Sequence, residues 1–262
     1  MSFLDDIIGG AKDIFGGIFG GNSGMVGSLI SAVITGFALN KMTKSVNKEN
    51  QTPASTITAE PDYGVRLQID PSADEKIPVL YGTAVFGGII SEAVLSNSNR
   101  TMTYVLTLCE KTGTKISDDA ASTFSFKNIY WNDNRIVFDS NGITASYMTD
   151  RDGNVDKTIA GLVRVYCFAG SSTAPVVPEG YTNGSLSNAY AIVPNWTVNH
   201  TMTDLVFAVV QIDYNSERGV TGLANMTFNI ENSMTLPGDC LYDYMTNTRY
   251  GAGVPAGEIY GE

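Results

Sequence analysis

One histidine, His200, and three cysteines are all that 262 residues supply of the side chains most often used for metal binding and nucleophilic catalysis. Cys109, Cys167 and Cys240 are far apart, odd in number and without a Cys-x-x-Cys pair, which argues against a disulfide framework or a structural zinc site. Cys109 and Cys167 each follow an apolar run, the usual setting of a buried, reduced thiol. His200 has no Gly-x-Ser-x-Gly elbow and no matching cysteine motif, so it reads as a loop histidine. The glycines of Gly82–Gly88 lack the Gly-Lys-Ser/Thr of a phosphate-binding loop. Asp150-Arg151-Asp152-Gly153-Asn154 puts its glycine at the wrong place for an EF-hand, and no glutamate closes the loop, so a solvated turn is expected. The sequence predicts no catalytic residue, no cofactor and no metal.

Positive charge is also scarce. Lys and Arg total 16 against 27 acids, for a net charge of -11 and a pI near 4.5. Such a surface is not built to neutralise nucleic-acid phosphates. Lys41, Lys44 and Lys48 form the only cationic cluster and read as part of a linker. A secretory signal fits poorly, because Asp5 and Asp6 stand where a basic region belongs.

The chain is rich in glycine and apolar residues at its start. Phe3, Leu4, Ile7, Ile8, Ala11, Ile14, Phe15, Ile18 and Phe19 recur at helical spacing, with Asp5, Asp6, Lys12 and Asp13 opposite. Paired glycines weaken such a helix by about 1 kcal/mol each, so it requires a packing partner. Met25–Leu39 is uncharged but shorter than the ~20 residues of a spanning helix. Residues 1–43 are therefore expected to be a Gly-rich helical segment. Its readings are an oligomerisation bundle in which Phe15, Ile18 and Phe19 make contacts, a membrane-active segment that meets a host membrane, or an anchor. Residues 44–61 read as a linker.

From residue 62 the hydrophobic period changes to two. Tyr63–Asp70 alternates Val65, Leu67 and Ile69 with Arg66, Gln68 and Asp70. Further strands are expected at Ile77–Tyr81, Ile89–Leu95, Thr101–Glu110, Thr123–Trp131, Arg135–Asp139, Leu162–Ala169, Leu205–Tyr214 and Ala224–Ile230. Turn residues separate them, among them Asn132-Asp133-Asn134, Asp139-Ser140-Asn141-Gly142 and Asp152-Gly153-Asn154. Short strands at this spacing predict a mainly β protein, an antiparallel β sandwich or barrel over 62–235. Tyr81, Tyr104, Tyr130 and Trp131 are candidates for its core or for subunit contacts.

The end of the chain, 236–262, predicts a short carboxy-terminal helix and tail. Pro237 and Gly238 break what precedes, Asp239 is placed to cap, and Leu241, Tyr244 and Met245 share a helical face expected to pack on the β body or on a neighbouring subunit. Gly251 and Gly253 are expected to end the helix, and Tyr250–Glu262 to serve as a docking strand.

Leu236–Gly253, with its Pro-Gly-Asp lead-in and Asn247-Thr248-Arg249-Tyr250-Gly251 stop, resembles a segment of the central tail-tip, or hub, proteins of long-tailed bacteriophages, the J-type tip attachment family. Pro78-Val79-Leu80-Tyr81-Gly82, Thr103–Glu110, Asn128–Asp133 and Gly222–Glu231 resemble further family segments in the same order. The resemblance implies a non-enzymatic virion structural protein acting in host attachment and genome ejection. In that role a tail-tube-like hub domain forms a homo-oligomeric ring, most often threefold, joins other tail proteins (tube, distal tail, tip or fibre) and lines a lumen through which DNA passes unbound. Arg249 and Tyr250 join Leu241, Tyr244 and Met245 as expected assembly contacts. Family members continue far beyond the Arg-Tyr-Gly stop, whereas this sequence stops at Glu262, so a host-binding tip is expected to be missing or supplied by another chain. The glycine-rich start has no counterpart in the resemblance. The alternative is a membrane-anchored β-rich adhesin or envelope protein, with Met25–Leu39 as its anchor.

Overall fold

The computed structural model describes residues 76–182 and 186–259. The amino-terminal segment with Phe15, Ile18 and Phe19, the linker 44–61 and the expected strand Tyr63–Asp70 lie outside the described residues. Within them the strands are β1 Thr83–Phe86, β2 Ile89–Ser96, β3 Thr101–Glu110, β4 Phe124–Trp131, β5 Asn134–Phe138, β6 Ala145–Thr149, β7 Val155–Asp156, β8 Val163–Ala169, β9 Pro175–Val176, β10 Leu205–Asp213 and β11 Met226–Asn232. Three short helices accompany them, α1 Ala189–Ile192, α2 Pro237–Thr246 and α3 Ala256–Ile259. The strands make two antiparallel sheets, β1-β11-β4-β5-β6-β7 and β2-β3-β10-β8-β9. The protein is mainly β, as its sequence predicts.

Burial explains which strands are central. β3 is buried along its whole length and β10 nearly so, which matches their long apolar runs. On one face of that sheet Phe207 stacks on its cross-strand partner Phe168, centroids 4.6 Å apart, and Ala189 and Val193 of the α1 segment close over them with Val105 and Val209. The alternate residues Val206, Ala208, Val210 and Ile212 are completely buried on the other face. In the second sheet Phe126 and Phe228 meet edge to face at 6.4 Å. The sheets are bonded together at one flank, where Val165 N–H donates to Ile143 O at 2.9 Å and Gly161 N–H to Ala145 O at 2.8 Å.

The turns follow their residues. Asn132 and Asp133 both adopt positive φ, 49° and 67°, in the two-residue connection of β4 and β5. Asn141 Oδ1 accepts from the amides of Ile143 and Thr144. Asp150, in the acidic loop, spends Oδ1 on the amides of Asp152 and Asn154 and Oδ2 on the Asn154 side chain, which makes that loop the β6–β7 turn. Cys109 and Cys167 are buried thiols, and burial pushes both well above their ordinary range.

Two expectations change. Ile77–Tyr81 is not a strand: Val79 makes a single parallel bridge to Glu110, and Pro78, which has no N–H, contributes only its carbonyl to Glu110 N–H at 2.8 Å. The strand of that region is β1, just downstream. α1, β6, β7 and β9 are elements that the periodicity does not announce, because each is too short or too polar to show a period.

Candidate functional site

α2 begins with Pro237 in its first turn, where a missing N–H costs nothing. Leu236 occupies the N-cap position without a side-chain cap, so Asp239 does not cap the helix as expected. Its carboxylate points into the β body instead and is 2% exposed. Oδ1 accepts from Ser117 N–H at 2.9 Å and Oδ2 from the Ser117 hydroxyl at 2.6 Å. One turn on, buried Asp243 accepts three bonds: Gly113 N–H to Oδ1 at 2.8 Å, and the Tyr81 and Tyr250 hydroxyls to Oδ2 at 2.7 and 2.6 Å. Spacing of i, i+4 puts the two acids on one face. Burial, followed by the hydrogen bond to Asp243, raises both phenols far above their ordinary range, so they remain donors.

The receiving loop is itself fixed from within. Asn232, fully buried at the end of β11, donates from Nδ2 to Leu80 O at 2.7 Å and to Thr112 Oγ1 at 2.8 Å. Ser122 Oγ donates to Thr112 O at 2.6 Å, and a bridge joins Thr114 to Ala121. The strand before the Pro-Gly-Asp lead-in, the Leu80–Tyr81 segment and the loop after β3 thus share one buried polar network.

After Thr246 the chain folds back over the helix end. Asn247 Oδ1 accepts from Arg249 N–H at 2.8 Å, while Ala252 N–H reaches Tyr244 O at 2.9 Å and Val254 N–H reaches Met245 O at 2.7 Å. These bonds satisfy carbonyls that a helix terminus leaves orphaned. A Cβ on Gly251 would overlap the Tyr244 carbonyl oxygen. Gly251 therefore permits the return path rather than ending the helix, which stops at Thr246 with Asn247 as its cap. The expected docking strand over Tyr250–Glu262 is corrected likewise: its described part makes this turn and then α3. Arg249 Nε stands 3.0 Å from Glu110 Oε2, poorly aligned for a hydrogen bond, so the contact is coulombic. Burial raises the Glu110 carboxyl, Arg249 pulls it back, and nearby Asp204 opposes Arg249, leaving it raised. A polar cleft of about 470 Å³ lies between the helix end and Asp204, with Lys111 and Arg249 among its walls.

The outward face of α2 is apolar. Leu236, Leu241 and Tyr244 are 55%, 61% and 50% exposed, while Met245 is half-buried. Of the two expected partners for Leu241 and Tyr244, the β body is thus ruled out and a neighbouring subunit is left, because the body offers hydroxyl and amide donors at this point and takes the acids. Arg249 and Tyr250 lie on the chain that folds back over the end of α2, where Tyr250 bonds Asp243 and Arg249 faces Glu110. Asp239 was read only as a cap, and Asp243 and Ser117 were missed; the signal was the i, i+4 pair of acids opposite an apolar stripe.

Tyr104 and Trp131 are core residues, whereas Tyr81 and Tyr130 are half-buried. His200 is an exposed loop residue stacked on Trp196 at 5.3 Å, and Trp196 Nε1–H donates to Glu92 Oε2 at 2.6 Å. Among the described residues no group of three or more His, Cys, Asp or Glu is placed to hold a metal ion, and no helix is long and apolar enough to cross a membrane.

Fold and site together define a two-sheet antiparallel β protein that carries a carboxylate-anchored helix with an apolar outer face. No protein-family model matches the sequence, and no curated protein matches it. Among solved structures it is similar to a chain in the virion of a native gene transfer agent particle, with a TM-score of 0.35 and 12% identity over 76% of this chain. The likeness spans 38% of that neighbour's length.

Proposed function

We propose that the chain is a non-enzymatic structural protein of a phage-like virion, a tail-tip or baseplate hub component that joins the tail tube to the distal tip. The observation that carries this reading is the fold of Leu236–Gly253, the run that resembles the J-type hub family. It forms a helix pinned by Asp239 and Asp243 that turns Leu236, Leu241 and Tyr244 to solvent. Apolar side chains held outward on a fixed helix suit a contact with another subunit. In this reading Leu241, Tyr244 and Met245 join copies of the chain into a ring, threefold by the resemblance, with tube and tip proteins on either side. A net charge of -11 suits a lumen wall, since negative surface repels phosphate and lets DNA pass without sticking. In the same reading Phe15, Ile18 and Phe19 pack the amino-terminal segment into a bundle that plugs the ring, with a membrane-active segment as the alternative.

Native mass spectrometry of the full-length protein tests the proposal. A closed assembly of a fixed number of 28.0 kDa chains, three by expectation, supports it. A single chain at every concentration overturns it.

A further inference from the structure

The two flanks of the β domain are finished differently. On one, the sheets end in β7 and β9, two residues each, beside the bonds that join Ile143–Ala145 to the β8 region. Very short strands protect an edge from unwanted pairing. On the other flank stand β1 and the eight-residue β2, linked by Gly87-Gly88. β2 spends one edge on β3, from Ile89 opposite Thr107 to Ser96 opposite Thr101. Among the described residues nothing pairs with its other edge. The usual devices are few there: no proline, one bulge near the start, and one charge, Glu92, already bonded to Trp196.

The described chain that precedes β1 runs beside this sheet. Val79 bridges Glu110 in parallel, while Leu205 of β10 holds the opposite side of Glu110. Val79 therefore sits on the side of β3 that β2 occupies from Thr107 onward. Traced backward in the same sense, Pro78, Ile77 and Lys76 head toward Thr107, where Ile89 already stands, so the line along β3 is taken. Upstream lies Tyr63–Asp70, whose period-two pattern matches a strand with one buried face, bracketed by Pro61 and Pro71. Pro71–Lys76 reaches roughly 20 Å when extended, enough to bring Asp70 beside Ile89.

We infer that Tyr63–Asp70 of the same chain docks on the open edge of β2, antiparallel to it, as a sixth strand of that sheet. Val65, Leu67 and Ile69 extend the apolar face to which Ala93 and Leu95 belong, and Arg66 joins the face that carries Glu92. The added strand presents Arg66, Gln68 and Asp70 near the new edge and carries Tyr63 to the turn at Asn97–Asn99. That turn lies at the opposite end of β3 from the loop that receives α2.

Amide hydrogen exchange on the full-length protein tests the inference. The β2 amides that point away from β3 should be protected, and Leu67→Pro should speed their exchange about 100-fold while β10 stays protected. Exchange of those outer-edge amides at loop rates in wild type, or no effect of Leu67→Pro on them, would overturn it. Should Leu67→Pro also loosen β10, disulfide trapping decides: Ala93→Cys is combined in turn with Val65→Cys, Leu67→Cys and Ile69→Cys. At least one intrachain disulfide is expected. None, or only interchain disulfides, would contradict docking by the same chain.

Discussion

α1 and α2 both dock on the β domain, and they do so with opposite chemistry. The α1 segment presses Ala189 and Val193 onto Phe168 and Phe207, and its hydrogen bonds to the β domain use only its own backbone: Ala189 N–H donates to Ser172 O at 2.8 Å and Ile192 O accepts from Gln211 Nε2 at 3.2 Å. α2 instead buries Asp239 and Asp243 and leaves Leu241 and Tyr244 in solvent. The first arrangement buries apolar side chains and bonds only the helix backbone, so it fixes the helix chiefly by shape. The second fixes it by matching particular oxygens to particular donors, which sets its rotation as well as its position and frees its apolar side for another partner.

Exchanging the two chemistries is the strongest way to break this comparison. Val193→Asp places a charge with no partner against Phe207, and we expect a loss of about 3–5 kcal/mol in urea unfolding. Asp243→Leu makes α2 resemble α1 in composition, yet should cost about 2–4 kcal/mol, because the Gly113 amide and two tyrosine hydroxyls lose their acceptor. Limited proteolysis should then cut 236–259 while β3 and β10 stay intact. Gly251→Ala perturbs only the return path over the helix end, and an expected cost of about 1–3 kcal/mol would appear in the same unfolding curves.

The smallest effect sharpens the electrostatic side of the contrast. Glu110, raised by burial, binds its proton more readily folded than unfolded. Its contribution is therefore fully present below the unfolded carboxyl value of 4.5 and is lost as pH rises through the folded value. Arg249 limits that loss. In Arg249→Met the Glu110 carboxyl should rise further, so the stability gap from wild type should widen between pH 4 and pH 7, to about 1 kcal/mol at most. Urea midpoints at the two pH values measure it, and a gap that is constant with pH would sever Arg249 from Glu110.

The same contrast explains what could be read from sequence. β3, β10 and the Asn132-Asp133 hairpin were legible because long apolar runs and residues that tolerate positive φ carry their own signal. α2 was legible as a helix from Pro237 and its apolar spacing. Its rotation was not, since the donors that claim its acids, Ser117, Gly113 and Tyr81, lie 122, 130 and 162 residues away along the chain. An apolar stripe says that something will be buried against it, but not by which molecule. β6 shows the opposite failure, a strand whose burial is confined to Ala145 and Met148 and leaves no alternation to detect.

The central claim is that α2 is held by its acids so that its apolar face is free to bind another subunit. The most direct test compares the assembly mass of wild type with that of the Leu241→Asp, Tyr244→Asp double variant at the same concentration, alongside their unfolding curves. The account predicts a multi-chain wild type, a variant that falls to the 28.0 kDa chain, and single-chain stabilities within about 0.5 kcal/mol of each other. A variant that assembles as wild type does, or one that loses its fold along with its assembly, would contradict it.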